Sequence, residues 1–217
     1  EKGSNSTVNT ALPVEPVVKQ QILLLEDSDD SLRAELKNVS EDLLHWFTDK
    51  GLIRKFILII NDLSQNQLLY KHVSFLKMSQ PIVVKKDEKG LYLGVEGYHR
   101  YDRLADAIDR INVEKGLGLY LMFRPLFKQV YDEFAYSNEY GLEDMFMKAS
   151  ASVIKAPIIK TRISLRKHSI MYKFVDGKLE ALDAVDKQML RMGPENTKKI
   201  QAKLRRLVEA ISELNNR

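Results

Sequence analysis

The chain has 217 residues, 44% of them apolar and 29% charged, the balance of a soluble globular protein that buries its own core without a disulfide or metal staple. Its longest uninterrupted apolar run is Phe56-Ile57-Leu58-Ile59-Ile60, far short of the roughly 20 residues of a membrane span, so collagen-like, mucin-like, fully disordered and integral-membrane classes are excluded. The net charge of +4 is uneven: residues 1–50 carry 5 Lys/Arg against 10 Asp/Glu and residues 160–217 carry 14 against 7, so the two ends can pair, or the basic end can face an anionic partner.

Residues 1–20, with small polar side chains and then Pro13 and Pro16, read as a flexible linker or tether. The chain starts at Glu1 rather than methionine, which suggests a signal peptide, membrane anchor or leader upstream. Residues 21–217 are expected to form a single domain, mainly α, of about eight helices with one small inserted β-hairpin. Ser28 is placed to cap a first helix ending near Asn38, with Asp29 and Asp30 in its first turn and Leu32 and Leu36 on its buried side. Ser40 opens a second short helix carrying Leu43, Leu44, Trp46 and Phe47, and Gly51 breaks it. A third helix over 52–63 is apolar around most of its circumference, so Phe56 and its neighbours should be central to the core.

After Pro81 the pattern changes. Ile82-Val83-Val84, the turn Asp87-Glu88-Lys89-Gly90 and Leu91-Tyr92-Leu93 read as a hairpin near 82–94 that must pack on the helices. Helical spacing resumes at Tyr101, Leu104, Ala105, Ile108 and Ile111. A longer helix over 113–134 contains Pro125, so a kink or break is expected near Phe123. Another helix covers 142–154, ended by Pro157, and 158–165 reads as a strand or an extended arm. Residues 182–192 are helical, Gly193 stands as their C-terminal cap, and Pro194 takes the first position of a last helix to about Leu214. Ile200, Leu204, Leu207, Val208, Ile211 and Leu214 form one stripe there, and Lys198, Lys199, Lys203, Arg205 and Arg206 fall mostly off it.

The candidates for chemistry are sparse. The absence of cysteine excludes disulfides, thiolate zinc sites and cysteine nucleophiles. His45, His72, His99 and His168 share no ligand spacing. Ser164-Leu165-Arg166-Lys167 has the S-x-x-K pattern without its companion motifs. The acid pairs Asp87-Glu88, Asp102 with Asp106, and Glu143-Asp144 suit turns, helix faces and caps better than acid–base work. Gly116-Leu117-Gly118 lacks the rest of a phosphate loop. No cofactor or metal is called for. Two clusters stand out as candidate binding sites. Tyr98, Arg100, Tyr101 and Asp102 follow the hairpin at a helix start, where they line a groove or, more simply, place Tyr101 in the core and pair Arg100 locally. Tyr172, Lys173 and Arg191 stand near the Gly193-Pro194 corner, and Asn196 and Lys198 open the helix beyond it. That corner either holds an anionic ligand or is purely structural. A helix-turn-helix reading of the basic end is weakened by the length of its second helix, which argues against nucleic acid as the partner.

The block Ser169-Ile170-Met171-Tyr172-Lys173-Phe174, Leu179-Glu180-Ala181-Leu182 and Lys187-Gln188-Met189-Leu190-Arg191-Met192-Gly193-Pro194-Glu195-Asn196 resembles the C-terminal signature of the bacterial family known as domain of unknown function 3014. Leu52-Ile53-Arg54-Lys55-Phe56 with Asn61-Asp62-Leu63, and Tyr98-His99-Arg100-Tyr101-Asp102, are similar to it too, so the likeness covers roughly residues 22–210. The resemblance implies a soluble domain behind one N-terminal membrane helix, facing the periplasm of Gram-negative bacteria, and it supplies no catalytic residues. The function expected is a non-enzymatic interaction or scaffold domain tethered to the inner membrane, its partner another envelope protein. An envelope hydrolase using paired carboxylates, or nucleic-acid binding through the basic last helix, stands as the alternative.

Overall fold

The computed structural model describes residues 24–78, 80–134 and 141–215. The linker expected over 1–20 lies outside them. Helix α1 (Ser28–Val39) follows a 3-10 turn and buries Leu32, Leu36 and Val39, the i, i+4 and i+7 positions of one face. Ser28 is its first residue rather than its cap: it is buried, and its Oγ donates to the Leu25 carbonyl at 2.7 Å. Asp29 reaches further than its own helix. Its carboxylate accepts the backbone N–H groups of Gly51 and Leu52 at 2.7 and 2.8 Å, and so caps helix α2 (Leu52–Ser64) from α1. Gly51 makes that entry at φ +69°, a conformation cheap only without a β-carbon. The segment expected to be a helix after Ser40 is a 3-10 helix, Glu41–Trp46.

In α2 the side chains of Leu52, Ile53, Ile57 and Ile60 are buried, and they form the core with Phe123, Phe127, Val130 and Met145. Phe56 is the exception to the expected face. It is only partly buried on the flank of this cluster, its ring 5.1 Å from that of Phe127.

Strands β1 (Val84–Asp87) and β2 (Gly90–Leu93) form the expected hairpin, with Gly90 at φ +102°. Helices α3 (Asp102–Asp109), α4 (Val113–Glu133) and α5 (Leu142–Ile154) follow. Of the kink or break expected near Phe123, the break does not occur: α4 runs through Pro125 and Phe123 is fully buried. Pro125 and Leu121, whose carbonyl the proline leaves without its helical donor, both lie on the exposed side, where solvent can reach it.

The hairpin is half of a larger element. Strands β3 (Ser164–His168) and β4 (Met171–Phe174) complete a four-stranded antiparallel sheet of order β1-β2-β3-β4. The strand expected within 158–165 therefore begins at Ser164. A one-turn helix α6 (Gly177–Glu180) precedes α7 (Ala184–Met192), which starts two residues later than expected because Asp183 caps it, accepting the Asp186 N–H at 3.0 Å.

Helix α8 (Pro194–Asn215) packs against α3, α4, α5 and α7. Ile200 and Ile211 of its stripe are buried, and so are polar residues that the stripe does not include. Gln201 Nε2 donates to the carbonyls of Val153 and Ala156 at 3.1 and 2.9 Å, and Lys203 Nζ to that of Ile111 at 2.6 Å. The helix thus gives side-chain donors to carbonyls at and just past the ends of α5 and α3. The fold is mainly α with a small β element. Between α1, α2, α4, α5 and α8 remains an apolar cavity of about 210 Å³, lined by Leu36, Phe56, Leu119, Phe146, Leu207 and others.

Candidate functional site

The site grows out of the α7–α8 corner. Gly193 ends α7 at φ +86° and ψ 163°, and its N–H donates to the carbonyls of Met189 and Leu190 at 3.2 and 3.3 Å. The ring of Tyr98 lies directly over it: a β-carbon at Gly193 would stand 2.4 Å from Tyr98 Cγ. Asn196, buried in the first turn of α8, ties the same two segments together. Its Nδ2 is placed to donate to the carbonyls of Met192 and Tyr98 at 3.0 and 3.2 Å and to Asp102 Oδ1 at 2.8 Å. Thr197 Oγ1 donates to the Met189 carbonyl at 2.9 Å. The other oxygen of Asp102 meets His99 Nδ1 at 2.8 Å, and Lys199 reaches Asp106 at 2.5 Å.

Beside this joint opens a cleft of about 540 Å³. Tyr92 and Leu93 of β2, Val95 and Tyr98 after it, Ile159 and Ile163, and Met192 and Pro194 give it an apolar lining. His99, Asp102, Lys160, Arg162, Glu195 and Lys199 make its rim. Most of those charges are partnered. Arg162 pairs with Asp87 while its guanidinium sits 4.3 Å from the centre of the Tyr92 ring, and Glu195 pairs with Lys198 at 2.8 Å. Burial pushes the Asp102 carboxyl up, but the hydrogen bonds from Asn196 and His99 outweigh it and hold the group below its ordinary range. The Asp106 carboxylate pushes Lys199 up, the Lys198 ammonium pulls Glu195 down, and burial raises the Tyr98 phenol. Both oxygens of Asp102 are occupied, which makes it an orienting group for His99 and Asn196. Among the described residues no group of three or more His, Asp or Glu side chains can hold a metal ion, and no helix is long and apolar enough to cross a membrane.

The structure brings together only part of what the sequence singled out. Tyr98 and Asn196 line the cleft, and Lys198 stands behind its rim on Glu195. Tyr101 is 3% exposed and belongs to the core, where the simpler reading of its spacing put it. Arg100 turns away: its guanidinium lies 4.9 Å from the Tyr101 ring centre and Nη1 donates to the Gln80 carbonyl at 3.2 Å. Tyr172 and Lys173 sit on β4 opposite Lys167 and Arg166. Arg191 lies 5.9 Å from the Phe174 ring, so these three belong with the sheet and not with the cleft. The lining residues that sequence reasoning missed are chiefly Tyr92, His99, Lys160, Arg162 and Lys199. A signal existed for His99 alone, which stands three residues before Asp102 at a helix start. Tyr92 and Arg162 are 70 residues apart in the numbering and meet only through the β2–β3 pairing.

No curated protein and no solved structure matches this chain. The family model described as "Protein of unknown function (DUF3014)" matches residues 52–208, a span that includes both the cleft and the corner that builds it, and the chain belongs to that family.

Proposed function

We propose that this is a non-enzymatic interaction domain of the cell envelope, tethered to the inner membrane and facing the periplasm, which grips a segment of another envelope protein in the cleft beside Gly193 and Pro194. The observation that carries the reading is the cleft itself: an apolar lining with a rim of charges most of which are already held in pairs. Such a surface favours burial of a partner's apolar side chain with polar contacts at the edge. Fixed pairs lose little side-chain freedom when a partner arrives. Exposed Lys160 gives the rim a cation suited to an acidic residue of the docking segment. The resemblance described above supports the periplasmic setting.

A photocrosslinking residue at Val95, which lines the cleft and is 62% exposed, tests this in the full-length protein in its own envelope. A discrete protein adduct is expected from Val95 and not from exposed Glu114 on α4, and Lys160→Glu should weaken it. Equal labelling from both positions, or none from Val95, overturns the reading.

A further inference from the structure

The β3–β4 hairpin reaches beyond the rest of its sheet. Strand β2 pairs with β3 only at Leu91↔Leu165 and Tyr92↔Ser164, while β3 and β4 continue through Arg166↔Lys173, Lys167↔Tyr172 and His168↔Met171. The turn beyond them holds Ser169 at φ +56° and presents Ile170. Ile170 is 94% exposed and Met171 61%, and Ile170 is the most exposed large apolar side chain among the described residues. Around this tip stand Arg166, Lys167 and Lys173 of the hairpin, with Lys86 and Lys89 at the adjoining β1–β2 turn, which lies at the same end of the sheet. Among the described residues none of these five cations is in a salt bridge. The acids nearby are otherwise engaged or few. Asp87 pairs with Arg162, and Glu180, whose carboxyl feels Lys173 and Arg166, takes the Phe174 N–H at 2.9 Å and Lys187 at 3.7 Å. Glu88 is the acid of the turn itself, and His168 adds a titratable group at the tip.

We propose that this hairpin docks on an anionic lipid bilayer, Ile170 and Met171 entering the interfacial layer and Arg166, Lys167, Lys173, Lys86 and Lys89 meeting the headgroups. An apolar wedge of two side chains is too small to anchor a protein partner, whose specific interfaces bury about 800 Å² a side. It suits an interface where apolar burial and diffuse attraction to anionic headgroups add. Cations without fixed carboxylate partners match a fluid layer of negative charge and need no single complementary geometry. The inference is independent of the cleft and survives if the cleft binds nothing.

Flotation of the 217-residue chain with vesicles of phosphatidylcholine alone, or with 30 mol % phosphatidylglycerol, tests it. Binding is expected only with phosphatidylglycerol, and should fall as salt rises. Both Ile170→Ser/Met171→Ser and Arg166→Glu/Lys167→Glu should weaken it at least tenfold while circular dichroism stays that of the parent. The equal charge change Arg205→Glu/Arg206→Glu on α8 should alter it less than twofold. Ile170→Trp should add a fluorescence component that shifts to the blue on vesicles. Absence of binding to anionic vesicles, equal losses from the α8 and hairpin charge changes, or an unshifted Ile170→Trp signal overturns the proposal. Protein crosslinks at Ile170 with that signal unshifted would instead assign the tip to a protein partner.

Discussion

At Gly193 two separate costs would fall on any other residue. Its φ of +86° with ψ 163° lies in a region essentially restricted to glycine, worth about 1–3 kcal/mol of strain elsewhere. The Tyr98 ring occupies the place of the missing β-carbon, and overpacking a filled site costs about 1–3 kcal/mol more. Gly193→Ala should therefore destabilise by about 2–6 kcal/mol in urea unfolding. In a Tyr98→Ala background only the backbone part should remain, so the two changes should couple. Equal costs in both backgrounds would show that the ring yields freely. Gly116 is the opposite case. It lies inside α4 at ordinary φ, and an added methyl would meet Ile111, Val39 and Leu207 at 3.6–3.9 Å on the wall of the apolar cavity. Gly116→Ala should raise stability by about 1 kcal/mol through helix propensity alone. A loss of stability there would mean the cavity wall has no room.

Helix α8 shows why elements were legible to different degrees. Its stripe, its proline start and the glycine before it were readable because each is local backbone chemistry. Its clamps were not, because Gln201 and Lys203 are polar side chains whose burial depends on carbonyls 45 or more positions away. Lys203 is 5% exposed, and burial lowers its pKa, with Arg206 adding to the effect. The same limit hid the second hairpin. Of strand β3 only Leu165 is buried, so nothing alternates clearly, and the strand exists because β2 and β4 pair with it. The cleft follows the same division: Tyr98 and Asn196 stand out from local signals, while Arg162 and Lys160 arrive through tertiary pairing. Gln201→Ala, which strips a donor from two helix-end carbonyls, should cost about 1–3 kcal/mol in urea unfolding. A cost near zero would mean water replaces the amide.

Across the whole molecule two carboxylates, Glu143 partly buried and Asp186 buried, give stability opposite pH dependences. Burial pushes the Glu143 carboxyl up, but the Tyr120 hydroxyl at 2.5 Å and Arg124 at 2.7 Å outweigh it and hold the group below its ordinary range. A lowered acid stabilises the fold above its unfolded pKa, and that share is lost as pH falls through the folded value. Asp186 is 7% exposed and its Oδ1 has no hydrogen-bond partner; burial first, and Asp183 second, raise its carboxyl. The folded state then holds this proton more tightly than the unfolded chain, so stability falls as pH rises from the ordinary carboxylate range through the raised value. Asp186→Asn should accordingly gain stability at pH 7 and lose that gain toward pH 3. Glu143→Gln should lose about 1–3 kcal/mol at pH 7 and little at pH 3. Trp46 is a natural reporter, packed both against the cluster of Val185, Met189 and Ile200 and against that of Leu36, Val39 and Leu43. Because it bridges these clusters, its fluorescence and far-UV circular dichroism should give coincident urea transitions for the parent and both variants. Separate midpoints would show that α7 and its pH-sensitive carboxylate unfold apart from the helices that hold Trp46.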